Sequence, residues 1–192
     1  MSDTIVFLQL EHGTLTKLLD LVDSLRDEIE SGKEPDFGLL KLLFSYFRDY
    51  PDACHHPKED VVFRALRRKA PELAQDIGNL IGDHEALALL TEQVSGEVDA
   101  AARGGTPSAE FVASLRGFVR AYRGHLEAEE REFFPVAAKQ LDKSDWTAID
   151  FDVFDRADPL YDESSENRFR DLRRAIWKSA ATGTPPNEPN AS

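Results

Sequence analysis

The feature that most limits what this chain can fold into is a helical apolar stripe. It recurs through four long segments and carries a histidine in each. Over about residues 3–29 the stripe is Ile5, Leu8, His12, Leu15, Leu19 and Val22. Spacings that alternate between three and four put these side chains on one side of an α-helix. Ser31-Gly32 stops the segment and Pro35-Asp36 opens the next. The second stripe, to about Lys69, reads Leu40, Phe44, Phe47, Glu59, Val62 and Leu66. Pro51 and Pro57 interrupt it and predict a kink or short break beside His55. The third segment runs from Pro71 to Gly104-Gly105, with Leu73, Ile77, Leu80, His84, Leu87, Thr91, Val94 and Val98 in line. Thr106 as N-cap and Pro107 at the first helical position open the fourth. Its stripe is Phe111, Leu115, Phe118, Tyr122, His125, Glu129, Glu132 and Val136, with Pro135 set to kink the last turns.

Four amphipathic helices joined by short links predict an all-α fold, an antiparallel up-down-up-down four-helix bundle with a C-terminal helical extension. Residues 1–141 form the bundle in this reading. Beyond Leu141 a short helix over about residues 145–157, a break at Asp158-Pro159 and a helix over about 164–179 follow. Phe169, Leu172 and Ile176 make the buried edge of that last helix. Residues 142–180 are thus expected to pack on the bundle as a cover or dimer contact, in a monomer or homodimer. Residues 181–192, rich in Pro, Asn and small side chains, read as a disordered tail.

Composition excludes several classes of function. A net charge of −13 opposes binding to a phosphate backbone, which needs clustered Lys and Arg. The basic clusters at 64–69 and 168–178 are interleaved with apolar or acidic residues and read as solvated helix faces, so no nucleic-acid partner is expected. No apolar run approaches the ~18 residues of a membrane span. Met1-Ser2-Asp3 lacks the basic and apolar regions of a signal peptide, and the single Cys54 rules out an internal disulfide. These features place the chain in the cytoplasm.

The chemistry lies in the histidines. His55 and His125 each have a glutamate four residues on, Glu59 and Glu129, and residues so spaced share a helix face. His12 and His84 stand alone on their stripes. At ~1.5 Å rise per residue, with helices alternating in direction, the four histidines fall roughly 14 to 24 Å from one end of the bundle. They share one layer. A single stripe histidine is commonly a core residue bonded to a backbone carbonyl. Four together with two glutamates, whose burial is costly without partners, point instead to metal ligation. Nitrogen and oxygen donors without thiolates suit iron, manganese or zinc, and the set suffices for two ions. His56, turned about 100° from its neighbour on an ideal helix, reads as a surface or supporting residue. Glu132 reads as solvated and Tyr122 as core packing. The Glu-x-x-His motif of ferritin-like di-metal bundles is absent.

His12, His55-His56-Pro57-Lys58-Glu59, His84 and His125-Leu126-Glu127-Ala128-Glu129 together resemble the hemerythrin-like, HHE cation-binding family over about residues 5–140. The resemblance implies a non-haem di-iron centre in a four-helix bundle. His12, His55, His84 and His125 would be terminal ligands. Glu59 and Glu129 would bridge the two irons beside an oxo or hydroxo group. Oxygen-carrying hemerythrins have a second histidine four residues from the first on the third helix, where this chain has Leu80 and Ala88. They use His-xxxx-Asp on the last helix, where this chain has His125-xxx-Glu129. The pattern is closer to the bacterial iron-cluster-repair and other HHE proteins, although the cysteine-bearing N-terminal domain usual in the repair proteins is not matched here. The implied function is binding or sensing of a small ligand such as O₂ or NO, or of iron. The alternatives are di-iron redox chemistry on peroxide or NO, and iron donation to damaged clusters.

Overall fold

In the computed structural model, which describes residues 2–104, 107–155 and 163–182, every regular element is helical and no strand occurs among the described residues. Helix α1 (Asp3–Glu30) starts at Ser2, whose hydroxyl accepts from the Thr4 amide at 3.1 Å. It stops just before Gly32, which takes φ 77°, the left-handed conformation glycine supplies at a helix end. Helix α2 (Phe37–Tyr50) is capped by Asp36, which accepts from the Leu39 amide at 2.9 Å. At Pro51, where the prolines predict a kink or short break beside His55, the helix changes its hydrogen-bond pattern. It widens into a π-turn (Pro51–His55), in which the His56 amide donates to the Pro51 carbonyl, and continues as α3 (His56–Lys69). Pro51 opens this i→i+5 turn and Pro57 sits in the first turn of α3, where a missing amide hydrogen is tolerated.

The third segment departs from the expected single helix. Helix α4 (Pro71–Ile77) ends at Gly78, whose φ of 97° no helix tolerates, and α5 (Leu80–Ala102) starts afresh. Leu73, expected on the buried stripe, is consequently exposed. Helix α6 (Ala109–Ala128) is capped by Ser108, which accepts from the Phe111 amide at 3.2 Å. Pro107 therefore precedes the cap and does not occupy the first helical position; Thr106 lies outside the described residues. A second π-turn (Glu129–Phe133) joins α6 to α7 (Phe134–Gln140), with the Phe134 amide donating to the Glu129 carbonyl just before Pro135. The wider turn shifts the stripe by one residue. Phe133, Phe134 and Ala137 are buried, whereas Glu132 is exposed and Val136 only half-buried.

Helix α8 (Lys143–Asp150) opens with a capping box between Asp142 and Asp145 and passes into a π-turn over 151–155. The Thr4 hydroxyl donates to Asp150 at 2.6 Å and ties the start of α1 to it. Helix α9 (Glu163–Thr182) buries Phe169 and Ile176 against α2, with the Phe169 ring 5.3 Å from that of Tyr50. The expected tail over 181–192 starts too early, since α9 continues through Ala181 and Thr182; residues 183–192 and the expected break at Asp158-Pro159 lie outside the described residues. No helix among the described residues is long and apolar enough to cross a membrane.

Two apolar clusters form the core. One holds Leu15, Leu19, Val22, Leu40, Phe44, Phe47, Leu87, Val94, Phe118 and Tyr122, with the Phe118 ring 4.8 Å from Phe44 and 5.3 Å from Tyr122. Such offset aromatic pairs add ~0.5–1.5 kcal/mol each beyond burial. The other holds Ile5, Leu8, Val62, Leu66, Leu80, Phe133, Phe134 and Ala137. Between the clusters each segment crosses a polar layer: His12 follows Leu8, Glu59 precedes Val62, His84 follows Leu80, and Glu129 precedes Phe133.

Candidate metal centre

The polar layer gathers all six residues picked out from the sequence and adds a seventh. His12, His55, Glu59 and Glu129 each place a ligating atom within 4.8 Å of the others; so do His56, Glu59, His84 and His125. Glu59 belongs to both groups. It lies 3.1 Å from His12 Nε2, 3.2 Å from His55 Nε2 and, through its other oxygen, 3.4 Å from His84 Nε2. Glu129 mirrors it, 3.2 Å from His125 Nε2 and 3.5 Å from both His84 Nε2 and His12 Nε2. Each carboxylate thus stands between imidazoles of the two groups, and both are fully buried.

Of the two positions expected for His56, at the surface or supporting the site, the first is excluded. His56 is buried, and its ring stacks on His84 at 4.0 Å with 6° between planes. The sequence signal was present but was measured from the wrong residue. His56 lies about 100° from His55, yet it is three residues before Glu59, as His55 is four before it, and both spacings share the glutamate's face. Tyr122 packs in the aromatic core and Glu132 is exposed, as expected.

A second set of residues behind the imidazoles was not singled out from the sequence. His12 Nδ1 lies 3.1 Å from Glu130, whose other oxygen accepts from Gln9 at 3.0 Å. His55 Nδ1 is 3.0 Å from Glu11, and His56 Nδ1 is 3.0 Å from Asp52. His84 Nδ1 faces Asp60 at 3.4 Å. Three rings, those of His12, His55 and His56, are therefore hydrogen-bonded to a carboxylate through the outer nitrogen, the arrangement that turns Nε2 inward and orients histidine ligands, while His84 has a carboxylate near its outer nitrogen without a hydrogen bond. Glu11 is itself held by Lys58 at 2.7 Å and by the Tyr50 hydroxyl. Each of these acids looks like an ordinary solvated residue in the sequence.

A sequence model of the hemerythrin HHE cation binding domain matches residues 3–137. The chain belongs to that family. No curated protein and no solved structure matches the chain significantly. As the family's name implies, the layer can take a cation, and the polar atoms agree. His55, His56 and His125 Nε2, with one oxygen each of Glu59 and Glu129, are buried without a hydrogen-bond partner. Buried polar atoms are costly unless satisfied, and these converge on two points.

The electrostatics point the same way. Burial and the charge of Glu59 push the Glu129 carboxyl up to about 7, toward holding a proton. Burial, together with neighbouring imidazoles, pushes His125 down to about 3. Burial also opposes charge on His55, but Glu59 and Glu11 outweigh it and raise the ring to about 10. Burial likewise opposes ionisation of Glu11, but His55 and Lys58 keep its carboxyl below the usual range. Protons balance the buried carboxylates in the absence of a cation, and a cation would displace them.

Beside this hemerythrin-family centre, a cavity of about 370 Å³ opens between α5 and α6. It is mostly apolar, lined by Leu87, Leu90, Ala121 and Gly124, and reaches His125 and Glu129 at its floor.

Proposed function

We propose that this chain holds two non-haem iron ions and binds or senses a small ligand, O₂ or NO, at them. One metal would be held by His12 and His55, the other by His56, His84 and His125, with Glu59 and Glu129 bridging. The observation that carries the reading is the double facing of the two glutamates, each against imidazoles of both groups, while hydrogen bonds from outer carboxylates aim three of the rings inward. Donors of imidazole and carboxylate type favour iron, manganese or zinc over softer ions. An iron pair, when bound, supplies coordination of a diatomic ligand and electrons for its reduction. The protein's own residues do the rest: outer carboxylates fix three of the rings, the apolar clusters exclude bulk water, and the cavity admits a small neutral molecule.

The fold reading includes an antiparallel four-helix bundle over residues 1–141, with 142–180 packed on it. Its support is the alternation of cluster membership: α1 and α5 lead from the Ile5 cluster to the Phe44 cluster, while α2–α3 and α6–α7 lead back. A cytoplasmic location fits this chemistry.

Metal analysis of the purified protein with its near-ultraviolet and visible spectrum tests the function. About two irons per chain with bridged-ferric absorption is the expected result. One zinc, or no metal after growth in iron-replete medium, would move the assignment to a structural bundle. Adding O₂, NO or peroxide to the reduced protein then separates reversible binding from turnover.

A further inference from the structure

The cavity of about 370 Å³ between α5 and α6 is far larger than a route for O₂ or NO requires. A diatomic molecule is about the size of water, whose share of liquid volume is about 30 Å³. The space has a cause in the sequence. Ala121, Gly124 and Ala128 on α6 recur at spacings of three and four, so they share one side of that helix, and none reaches beyond Cβ. Leu87 and Leu90 of α5 line the cavity without filling it. A Cβ built on Gly124 meets nothing within 4 Å, so the helix surface there is open. The floor differs in kind. The side chains of His125 and Glu129 are 7% and 0% exposed, and His125 Nε2 and Glu129 Oε2 are buried without a hydrogen-bond partner. Asp83 and Glu132 are exposed, which puts them at the mouth, and no Lys or Arg is among the described residues of the lining.

We propose that this cavity binds a neutral, apolar organic molecule of one or two rings, seated against the His125 side of the metal layer. An apolar cavity of about 150 Å³ holds benzene, so about 370 Å³ admits a fused pair of rings or one substituted ring. Aliphatic walls give water few partners, and its displacement favours an apolar molecule. Two carboxylates at the mouth disfavour an organic anion. A molecule bound here lies between solvent and His125. It therefore closes this approach to the ion that His56, Glu59, His84 and His125 would hold, and occupancy is expected to slow the arrival of NO. The blocking rests on the metal-centre reading; the binding does not.

The test is calorimetric titration of the full chain, metal-stripped and iron-loaded, with indole and with benzoate. Indole is expected to bind both forms with a Kd of about 1 mM or tighter, and benzoate about tenfold more weakly or worse. Gly124→Leu puts a side chain into the space and is expected to weaken indole about tenfold. Leu90→Asn, at a half-buried wall position, is expected to weaken it about fivefold. Circular dichroism checks that both variants keep their helix content. No heat with indole at about 10 mM, or equal affinity in wild type and both variants, overturns the proposal. Benzoate bound as tightly as indole overturns the preference for a neutral molecule. Stopped-flow association of NO with the reduced, iron-loaded protein reads the blocking. With indole at about ten times its Kd, roughly a tenth of the cavities are empty, so the rate should fall about tenfold. An unchanged rate overturns the blocking alone. A chain that takes up no iron yet binds indole would refute the metal-centre reading and leave this site standing.

Discussion

Glu11→Gln is the most informative single substitution, because Glu11 joins the stability of the fold to the orientation of His55. Its carboxylate receives the Lys58 ammonium at 2.7 Å, and both side chains are at least nine-tenths buried. Glutamine preserves shape but removes the negative charge, leaving an ammonium whose buried counter-ion is gone. Breaking a buried ion pair on one side costs about 3 kcal/mol, which in a domain of this size lowers Tm by about 6–12 °C. The outer nitrogen of His55 keeps a neutral acceptor but loses an anionic one, so metal affinity falls about tenfold. Removing both charges separates the effects. Glu11→Gln with Lys58→Met regains stability to within about 1 kcal/mol, since a buried pair exchanged for apolar or neutral groups is near neutral. It does not regain metal affinity. Urea unfolding of the stripped protein reads the first quantity and competition with a chromophoric chelator the second. A single variant that loses less than about 1 kcal/mol, or a double variant that recovers both quantities, refutes the reasoning.

Further expectations concern the centre itself. His84→Ala should lose most bound metal with little change in helicity, which elemental analysis and circular dichroism read; unchanged stoichiometry would remove His84 from the ligand set. His56→Ala should lower the stoichiometry toward one ion per chain, because the group that includes His84 and His125 loses a donor. Glu129→Ala should uncouple the two ions, and strong antiferromagnetic coupling retained in that variant would count against a bridging carboxylate. Burial opposes charge on His55 and His84, but the carboxylates around them hold the rings protonated to about 10 and about 9 in the stripped protein. A cation must displace those protons, so apparent affinity should rise with pH from about 7 to about 9, and a flat profile would contradict it. Gly124 lines the apolar cavity, and a Cβ built there meets nothing within 4 Å. Gly124→Leu should therefore slow ligand entry while leaving stability equal or up to about 1 kcal/mol higher, measured by stopped flow and thermal unfolding.

The sequence was legible wherever one physical rule acted alone. Stripe periodicity located His12, His84 and the apolar residues around them, because burial and the 3.6-residue repeat were unopposed there. It failed where a turn changed the repeat. Beyond Glu129 the π-turn moves the buried positions to Phe133 and Ala137, so the stripe extended to Val136 lands on a residue only half-buried. Gly78 alone gave warning that the third segment would break. The outer carboxylates Glu11, Asp52, Asp60 and Glu130 could not be told from the many solvated acids of an acidic chain. What distinguishes them is the ring each one faces, and that is a property of the assembled layer.

The two π-turns at the centre carry a consequence for how metal gets in and out. An i→i+5 turn interrupts the regular i→i+4 ladder of its helix, and His55 closes one such turn while Glu129 opens the other. Local opening is concentrated where stability is lowest, so the ligands should part there while the apolar clusters on either side stay packed. Ion exchange then follows the opening rate of these turns and not global unfolding. Amide hydrogen exchange at residues 52–56 and 129–134 should slow on metal loading, far more than in the middle of α1 or α5.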